Sequence, residues 1–207
     1  MKALILTDLQ NDFCPGGALA VPEGDQVVPA ANRLQRQFEL VVATQDWHPP
    51  DHGSFAANHP GKKPGEQIEL AGLPQILWPV HCVQNTPGAA FHPQLDQSHI
   101  ARVFRKGTDP EIDTYSGFFD NGHRKSTGLA DYLKAAGAVE VYICGLTTDY
   151  CVKFTALDAV GLGFKTFVVA DACRGVNLHP GDVNKAIAEM RAEGVELVHS
   201  GDVEGRM

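Results

Sequence analysis

Six short runs of apolar residues recur along the chain: ALILTD (3–8), ELVVAT (39–44), ARVFRKG (101–107), VEVYICG (139–145), KTFVVAD (165–171) and VELVHS (195–200). Most are apolar on both faces of an extended backbone, the mark of strands covered on both sides in a parallel sheet. Between them the period changes. Val27, Val28, Ala31, Leu34 and Phe38 make a helical stripe. So do Leu129, Tyr132, Leu133 and Ala136, with Gly137 in the place of a C-terminal cap. Helical patterns over Cys151–Leu162 and Asp182–Ala192 complete the set. Alternating strands and helices predict a doubly wound α/β fold, a three-layer αβα sandwich around a six-stranded parallel sheet.

One region breaks the alternation. From Pro49 to Pro93 the chain carries eight of its thirteen prolines, with His48, His52, His59, His81 and His92 in or beside it. A long irregular stretch within a domain is uncommon and often functional. It has no repeat and no low-complexity bias that would mark a flexible linker. Residues 1–207 are therefore expected to form one domain, with an ordered Pro/His-rich excursion at about 46–93 over one edge of the sheet.

Composition narrows the function classes. The 207 residues, 43% hydrophobic and 20% charged, suit a soluble domain with one core. A net charge of −8, with basic residues clustered only as pairs such as Arg105-Lys106 and Arg124-Lys125, argues against a nucleic-acid surface. The opening apolar run, Ala3 to Leu6, is too short for a secretion signal, and no stretch approaches the ~18 apolar residues of a membrane span. Five cysteines, odd in number and without a CxxC pair, point to a reducing compartment, by default the cytoplasm. The closing SGDVEGRM (200–207) reads as a frayed end. A homo-oligomer is compatible with the sequence, which leaves the assembly state open.

In doubly wound folds, ligands bind outside the carboxyl ends of the strands. That rule selects Asp8 after the first strand, Asp46 and His48 after the second, Lys106 at the end of the next, and the turn GLTTDYC (145–151) after the fourth. Cys151 stands where a strand hands over to a helix, and thiols at helix N-termini have pKa values lowered to ~3.5–7.5. An inert core cysteine is the plainer account, and it is adopted for Cys14, Cys82, Cys144 and Cys173. No histidine is obviously placed as a base for Cys151. Asp8, partly desolvated at the sheet rim and raised in pKa, can take the thiol proton and later return it to a leaving amine. Lys106 would stabilise the resulting anions, and the tight GLTT turn would aim the N–H groups of Thr147 and Cys151 into an oxyanion hole. Taken singly, Asp8 is a turn residue and Lys106 a solvated strand end. Their arrival at one rim with Cys151 is what assigns them roles.

The segment TQDWHPPDH (44–52) places Asp46 and His48 two apart, on one side of an extended chain, and LWPVHCV (77–83) offers His81. One carboxylate and two imidazoles suit a divalent ion with open positions. Zn²⁺ is the expected occupant, with Fe²⁺ or Mn²⁺ also suited, and His52 is a possible fourth ligand. A His-rich surface loop accounts for the same residues without any metal.

The motifs TDLQNDFCPGGALAVPEG, TQDWHPPDHGSFA, LWPVHCVQNTPGAAFH, RKGTDPEIDTYSGFFDN and VYICGLTTDYCVKFTALDA follow one another along nearly the whole chain. In that order they resemble the bacterial nicotinamidases, members of the isochorismatase-like cysteine hydrolases. The resemblance implies an isochorismatase-like fold and hydrolysis of nicotinamide, with pyrazinamide a related substrate, in salvage of NAD. It implies a catalytic triad of Asp8, Lys106 and Cys151 and metal ligands Asp46, His48 and His81. A further ligand sometimes follows the DxH pair, here His52. Phe13 and Trp78 would clamp the substrate ring, with Tyr115 as a third wall and Leu146 as a further contact, and a cis peptide would join Leu146 to Thr147. Two alternatives remain. Another amidase of the superfamily, of the N-carbamoylsarcosine or ureidoacrylate type, would keep the triad and change the substrate. A non-catalytic mononucleotide-binding module would need a Gly-rich loop after the first strand, where TDLQNDF has two acids and no glycine.

Overall fold

Parallel strands occupy the middle of the molecule, and the order in which the chain visits them locates its chemistry. The structure, a computed structural model, describes residues 1–204. The strands are β1 (Lys2–Thr7), β2 (Leu40–Asp46), β3 (Gln67–Leu70), β4 (Leu73–Ile76), β5 (Ile100–Lys106), β6 (Glu140–Leu146), β7 (Lys165–Arg174) and β8 (Glu196–Val198). The helices are α1 (Val27–Gln35), α2 (Leu129–Ala135), α3 (Lys153–Gly161), α4 (Asp182–Ala192) and α5 (Ser200–Glu204). The main sheet has six strands in the order β5-β2-β1-β6-β7-β8, all parallel, as the sequence pattern predicts.

From β1 the chain moves outward through β2 to β5. It then crosses back to β6, beside β1, and moves the other way through β7 to β8. Crossovers between parallel strands are right-handed, so reversing the direction of travel puts α1 on one face and α3 and α4 on the other. The two runs diverge between β1 and β6, and a crevice opens there at the carboxyl ends. Coverage on both faces explains the apolar strands: β2 is buried along its whole length, and Leu4, Ile5, Val42, Val141 and Ile143 have no exposed surface. Each such side chain contributes roughly 1.5–3 kcal/mol of burial free energy. Edge strand β5 alternates instead, with Phe104 buried and Val103 exposed.

Several elements differ from the sequence pattern. The excursion holds a 3-10 turn at Ala56–Asn58 and the antiparallel hairpin β3–β4. Its turn, Ala71-Gly72, has both residues at positive φ (51° and 78°) without the Asn-Gly or Asp-Gly pair that would announce it. Isolated bridges tie this excursion to the sheet rim at His48–Val83 and Gln10–Phe91. Strand β7 runs on to Arg174, and a π-helical turn over Thr148–Val152 precedes α3, which begins at Lys153 rather than Cys151. The expected frayed end is corrected as well. Residues 200–204 form α5, whose Val203 is fully buried, and α5 packs on α1 and β7; the rest of that stretch lies outside the described residues.

Gly145 sits in β6 opposite Thr7 with φ 131°, and a Cβ there would lie 2.1 Å from the Thr7 carbonyl oxygen. Only glycine permits this approach of β6 to β1. Gly145→Ala is expected to lower the urea midpoint by the equivalent of at least about 2 kcal/mol, with the m-value unchanged. Gly161→Ala, where nothing lies within 4 Å of the new methyl, is expected to gain about 0.4–1 kcal/mol instead. Equal midpoints for the two variants would refute the close approach.

Candidate active site and metal centre

Four strand ends meet at the crevice. Asp8 follows β1 in a left-handed conformation (φ 48°) that turns its carboxylate back into the rim, where it is wholly buried. Thr44, on β2, donates its hydroxyl to Asp8 Oδ1 at 2.6 Å. Lys106 ends β5, paired in register with Asp46. Its Nζ reaches Asp8 Oδ2 at 2.8 Å, Asp46 Oδ1, the Thr114 carbonyl at 3.1 Å and Cys151 Sγ at 3.4 Å. Lys106 is 2% exposed, so this ammonium has exchanged water for two carboxylates, a carbonyl and a sulfur. A buried charge is tolerated only with such partners. Asp8, Asp46 and Cys151 bring a ligand atom each within 4.8 Å of one another, and the Lys106 ammonium supplies the cation that this cluster calls for.

The electrostatics differ from the expectation at one residue. Burial pushes the Asp8 carboxyl above its ordinary value, with Lys106 pulling against it, which suits a proton acceptor. Burial also acts on Asp46, but Lys106 and the imidazoles hold that carboxyl well below the usual range. Cys151 was expected as a lowered thiol at a helix terminus. It lies instead inside the π turn, and burial raises it well above its ordinary value against the opposing Lys106 charge. Complete desolvation of the sulfur outweighs the neighbouring ammonium. A thiol raised in this way keeps its proton at rest, so any reaction at this sulfur would need a neighbouring base to remove it.

Beyond Asp46 lie the histidines. His48 Nε2 is 3.4 Å and His81 Nε2 3.6 Å from Asp46 Oδ2. Ligands sharing a tetrahedral ion at ~2.0–2.1 Å stand about 3.4 Å apart. The far nitrogen of each ring is engaged by a backbone carbonyl: His48 Nδ1 by Gly107 at 2.9 Å, His81 Nδ1 by Pro79 at 2.8 Å. Carbonyls accept, so they favour a proton on each Nδ1 and leave the two Nε2 atoms as the ligand atoms, within 4.8 Å of each other and of Asp46. Gly107 is required here, since a Cβ would lie 2.3 Å from the His48 ring. These residues fit a divalent ion. His52 is not in that trio. It groups with His48 and Asp113, its ring 4.3 Å from that of His48. Its Nδ1 meets Ser54 Oγ at 2.7 Å, and its buried Nε2 has no partner among the described residues. Burial, with His48 beside it, lowers His52 to about 4, so its ring is neutral.

Between the thiol and the histidines is a cavity lined by Phe13, Trp78, Tyr115, Tyr150, Thr147 and Cys151, among others. Trp78 meets Tyr150 edge to face at 4.8 Å and donates its indole N–H to the Tyr115 hydroxyl at 3.2 Å. The Leu146–Thr147 peptide is cis. Leu146, expected at the substrate, is fully buried in the hydrophobic core and is not among the residues that line this cavity.

Several residues of the site do not stand out in the amino-acid sequence. Leu19, Asp113, Tyr150 and Val176 also line the cavity. Asp12 accepts from Cys82 N at 2.7 Å and so holds the left-handed residue that follows His81 (φ 46°). Gln75 donates to Asp113 at 2.9 Å and to the Tyr115 hydroxyl at 3.0 Å. Thr44 and Gln10 support Asp8 and Asp46. Only Asp12 and Gln10 carried a signal, as polar residues in the turn after β1; the others act across distances that the sequence does not reveal.

Comparison with known proteins gives the family. The chain matches the Isochorismatase domain over residues 2–202. It is 55% identical to the nicotinamidase of Escherichia coli K12 across 98% of this chain and 97% of that one. It superimposes on the Acinetobacter nicotinamidase/pyrazinamidase structure with a TM-score of 0.95, at 49% identity over 98% and 97% of the two chains. The zinc complex of Pyrococcus horikoshii pyrazinamidase matches with a TM-score of 0.79, at 42% identity over 96% and 98%. On motif order, fold and near-complete coverage alike, this chain belongs to the isochorismatase family.

Proposed function

We propose that the chain is a metal-assisted amidohydrolase that converts nicotinamide to nicotinate and ammonia, and that it acts on pyrazinamide as well. The observation that carries this is the contact of the Lys106 ammonium with both Asp8 and Cys151 beside an aromatic cavity whose far wall is Asp46, His48 and His81. The nicotinamidase and pyrazinamidase relatives support the choice of substrate. Five free thiols fit a reducing compartment, and we place the activity in the cytoplasm, in salvage of NAD. Among the described residues, no helix is long and apolar enough to cross a membrane.

Phe13 and Trp78 hold the pyridine ring, with Tyr115 behind it. A divalent ion on Asp46, His48 and His81, with His52 as a possible further ligand, would supply a Lewis-acidic anchor for the ring nitrogen; zinc is our first choice. Asp8 takes the Cys151 proton as sulfur attacks the carboxamide carbon. The N–H groups of Thr147 and Cys151 receive the oxyanion, and Lys106 keeps the anionic partners in place. Asp8 then returns the proton to the departing nitrogen, releasing ammonia and leaving a thioester. Water attacks the thioester with Asp8 accepting its proton, nicotinate leaves, and the thiol is restored.

The decisive experiment is ammonia release from nicotinamide by the protein as isolated, after chelation, and with Cys151→Ala. We expect release to vanish in the variant and to collapse on chelation, returning with added Zn²⁺. Release that survives chelation would overturn the metal assignment alone. A Cys151→Ala enzyme with near wild-type turnover would overturn the whole mechanism. Nicotinamide left intact while other small amides are cleaved through Cys151 would overturn only the substrate.

Thr44 provides a second test. Its hydroxyl lowers the Asp8 pKa, so removing it moves that pKa further up. Because Asp8 works ionised, the acid limb of the kcat/KM profile is expected to shift to higher pH in Thr44→Val. Losing a hydrogen bond to a charged group, about 1.5–3 kcal/mol, corresponds to a fall of roughly 10–100-fold below that limb. Thr44→Ser should restore both. An unmoved limb in the valine variant would show that the hydroxyl does not support the base.

Lys106→Met should abolish turnover and also cost roughly 3–5 kcal/mol of stability at neutral pH, since it leaves Asp8 and Asp46 buried without their cation. Urea unfolding of the metal-free variant measures this. A stability equal to wild type would mean that the carboxylates do not depend on Lys106.

A further inference from the structure

Strand β1 pairs with β2 only as far as Leu6 and Ala43, three residues short of Asp46. On that side the Asp46 peptide therefore lacks a strand partner, although the residue is 4% exposed and out of reach of bulk water. A buried peptide N–H or C=O left open is costly, so something must stand in for the missing strand. Gln10 does so. Its Oε1 accepts from Asp46 N at 2.8 Å, and its Nε2 donates to Asp46 O at 2.8 Å and to Ala89 O at 2.9 Å. A primary amide carries both an acceptor oxygen and an N–H₂ donor, so a single side chain can serve the N–H and the C=O of one residue as a neighbouring strand would. On its other side Asp46 is held by its register with Lys106 on β5.

We propose that Gln10 is a positioning residue for the metal centre, clamping the Asp46 backbone so that the carboxylate can serve Lys106 with one oxygen and the two imidazoles with the other. This rests on the metal-centre assignment made above. The Asp46 carboxylate is drawn two ways, by the Lys106 ammonium at Oδ1 and by the His48 and His81 nitrogens facing Oδ2. A backbone free to turn would let Lys106 take both oxygens, and the opening between Asp46, His48 and His81 would lose its ligand spacing. Gln10 is itself wholly buried and does not line the cavity, so its effect passes through Asp46. Groups that orient metal ligands typically change metal affinity 10–100-fold when removed.

A packing role would be the alternative, and two variants separate the two. Gln10→Met keeps the volume and loses all three hydrogen bonds; Gln10→Ala loses the volume too. The metal-free proteins are titrated with Zn²⁺ in competition with a chromophoric chelator, and far-UV circular dichroism verifies the fold. The clamp predicts that both variants bind Zn²⁺ about 10–100-fold more weakly than wild type, by similar factors. Wild-type affinity in Gln10→Met, with weakening only in Gln10→Ala, would overturn the proposal and leave Gln10 as packing. Should the methionine prevent folding, Gln10→Asn carries the same expectation, being one methylene too short to reach both atoms of the Asp46 peptide. A wild-type protein that binds no Zn²⁺ would instead overturn the metal centre itself, and this inference with it.

Discussion

A single ammonium buried at the end of an edge strand organises the chemistry of this protein. Lys106 brings the charge, and Asp8, Asp46, Cys151 and the Thr114 carbonyl are arranged around it. A cation of that kind cannot be left alone in a low-dielectric interior, and two carboxylates cannot share a dry site without one. Each group therefore makes the others tolerable. The same environment splits the two acids. Asp8 is pushed up toward a value suited to moving protons, while Asp46 is held down as a permanent anion.

Asp46 also joins the Lys106 cluster and the histidines into one unit. Its Oδ1 belongs to Lys106, and its Oδ2 faces the nitrogens of His48 and His81. A shift of Asp46 would disturb both halves together. This explains the density of support around it: Gln10 on one side of its peptide, β5 on the other, and carbonyls behind each imidazole. The excursion between β2 and β5 has a matching purpose. It returns His81 and Trp78 to the rim that β2 has just left, and Asp12 pins the turn that follows His81.

The topology accounts for the location. Where the chain reverses its direction across the sheet, β1 and β6 lie side by side and their carboxyl ends open a crevice. Asp8 enters from one and the Thr147–Cys151 turn from the other, while β2 and β5 add Asp46 and Lys106 from the same rim. Gly145 lets the two central strands approach closely, and across that approach Asp8 and Cys151 share the Lys106 ammonium.

Apolar periodicity and strand-end position are local properties, so the parallel sheet, its helices and the rim where Asp8, Asp46, Lys106 and Cys151 gather were legible along the chain. Motif order along the chain was enough to indicate the family. The hairpin β3–β4 stayed hidden because its Ala-Gly turn lacks the usual residues, and α5 because its buried Val203 has meaning only against its distant partners. The direction of the Cys151 pKa shift was not legible along the chain either. Helix position argued for a lowered thiol, but pKa depends on total burial, which is a property of everything packed around the sulfur. Tertiary structure likewise took Leu146 into the core, set His52 beside His48 and Asp113, and gave Gln10 and Thr44 their partners. Hydrogen bonds between residues 36 positions apart leave no trace in local pattern, since they exist only once the sheet has brought β1 against β2.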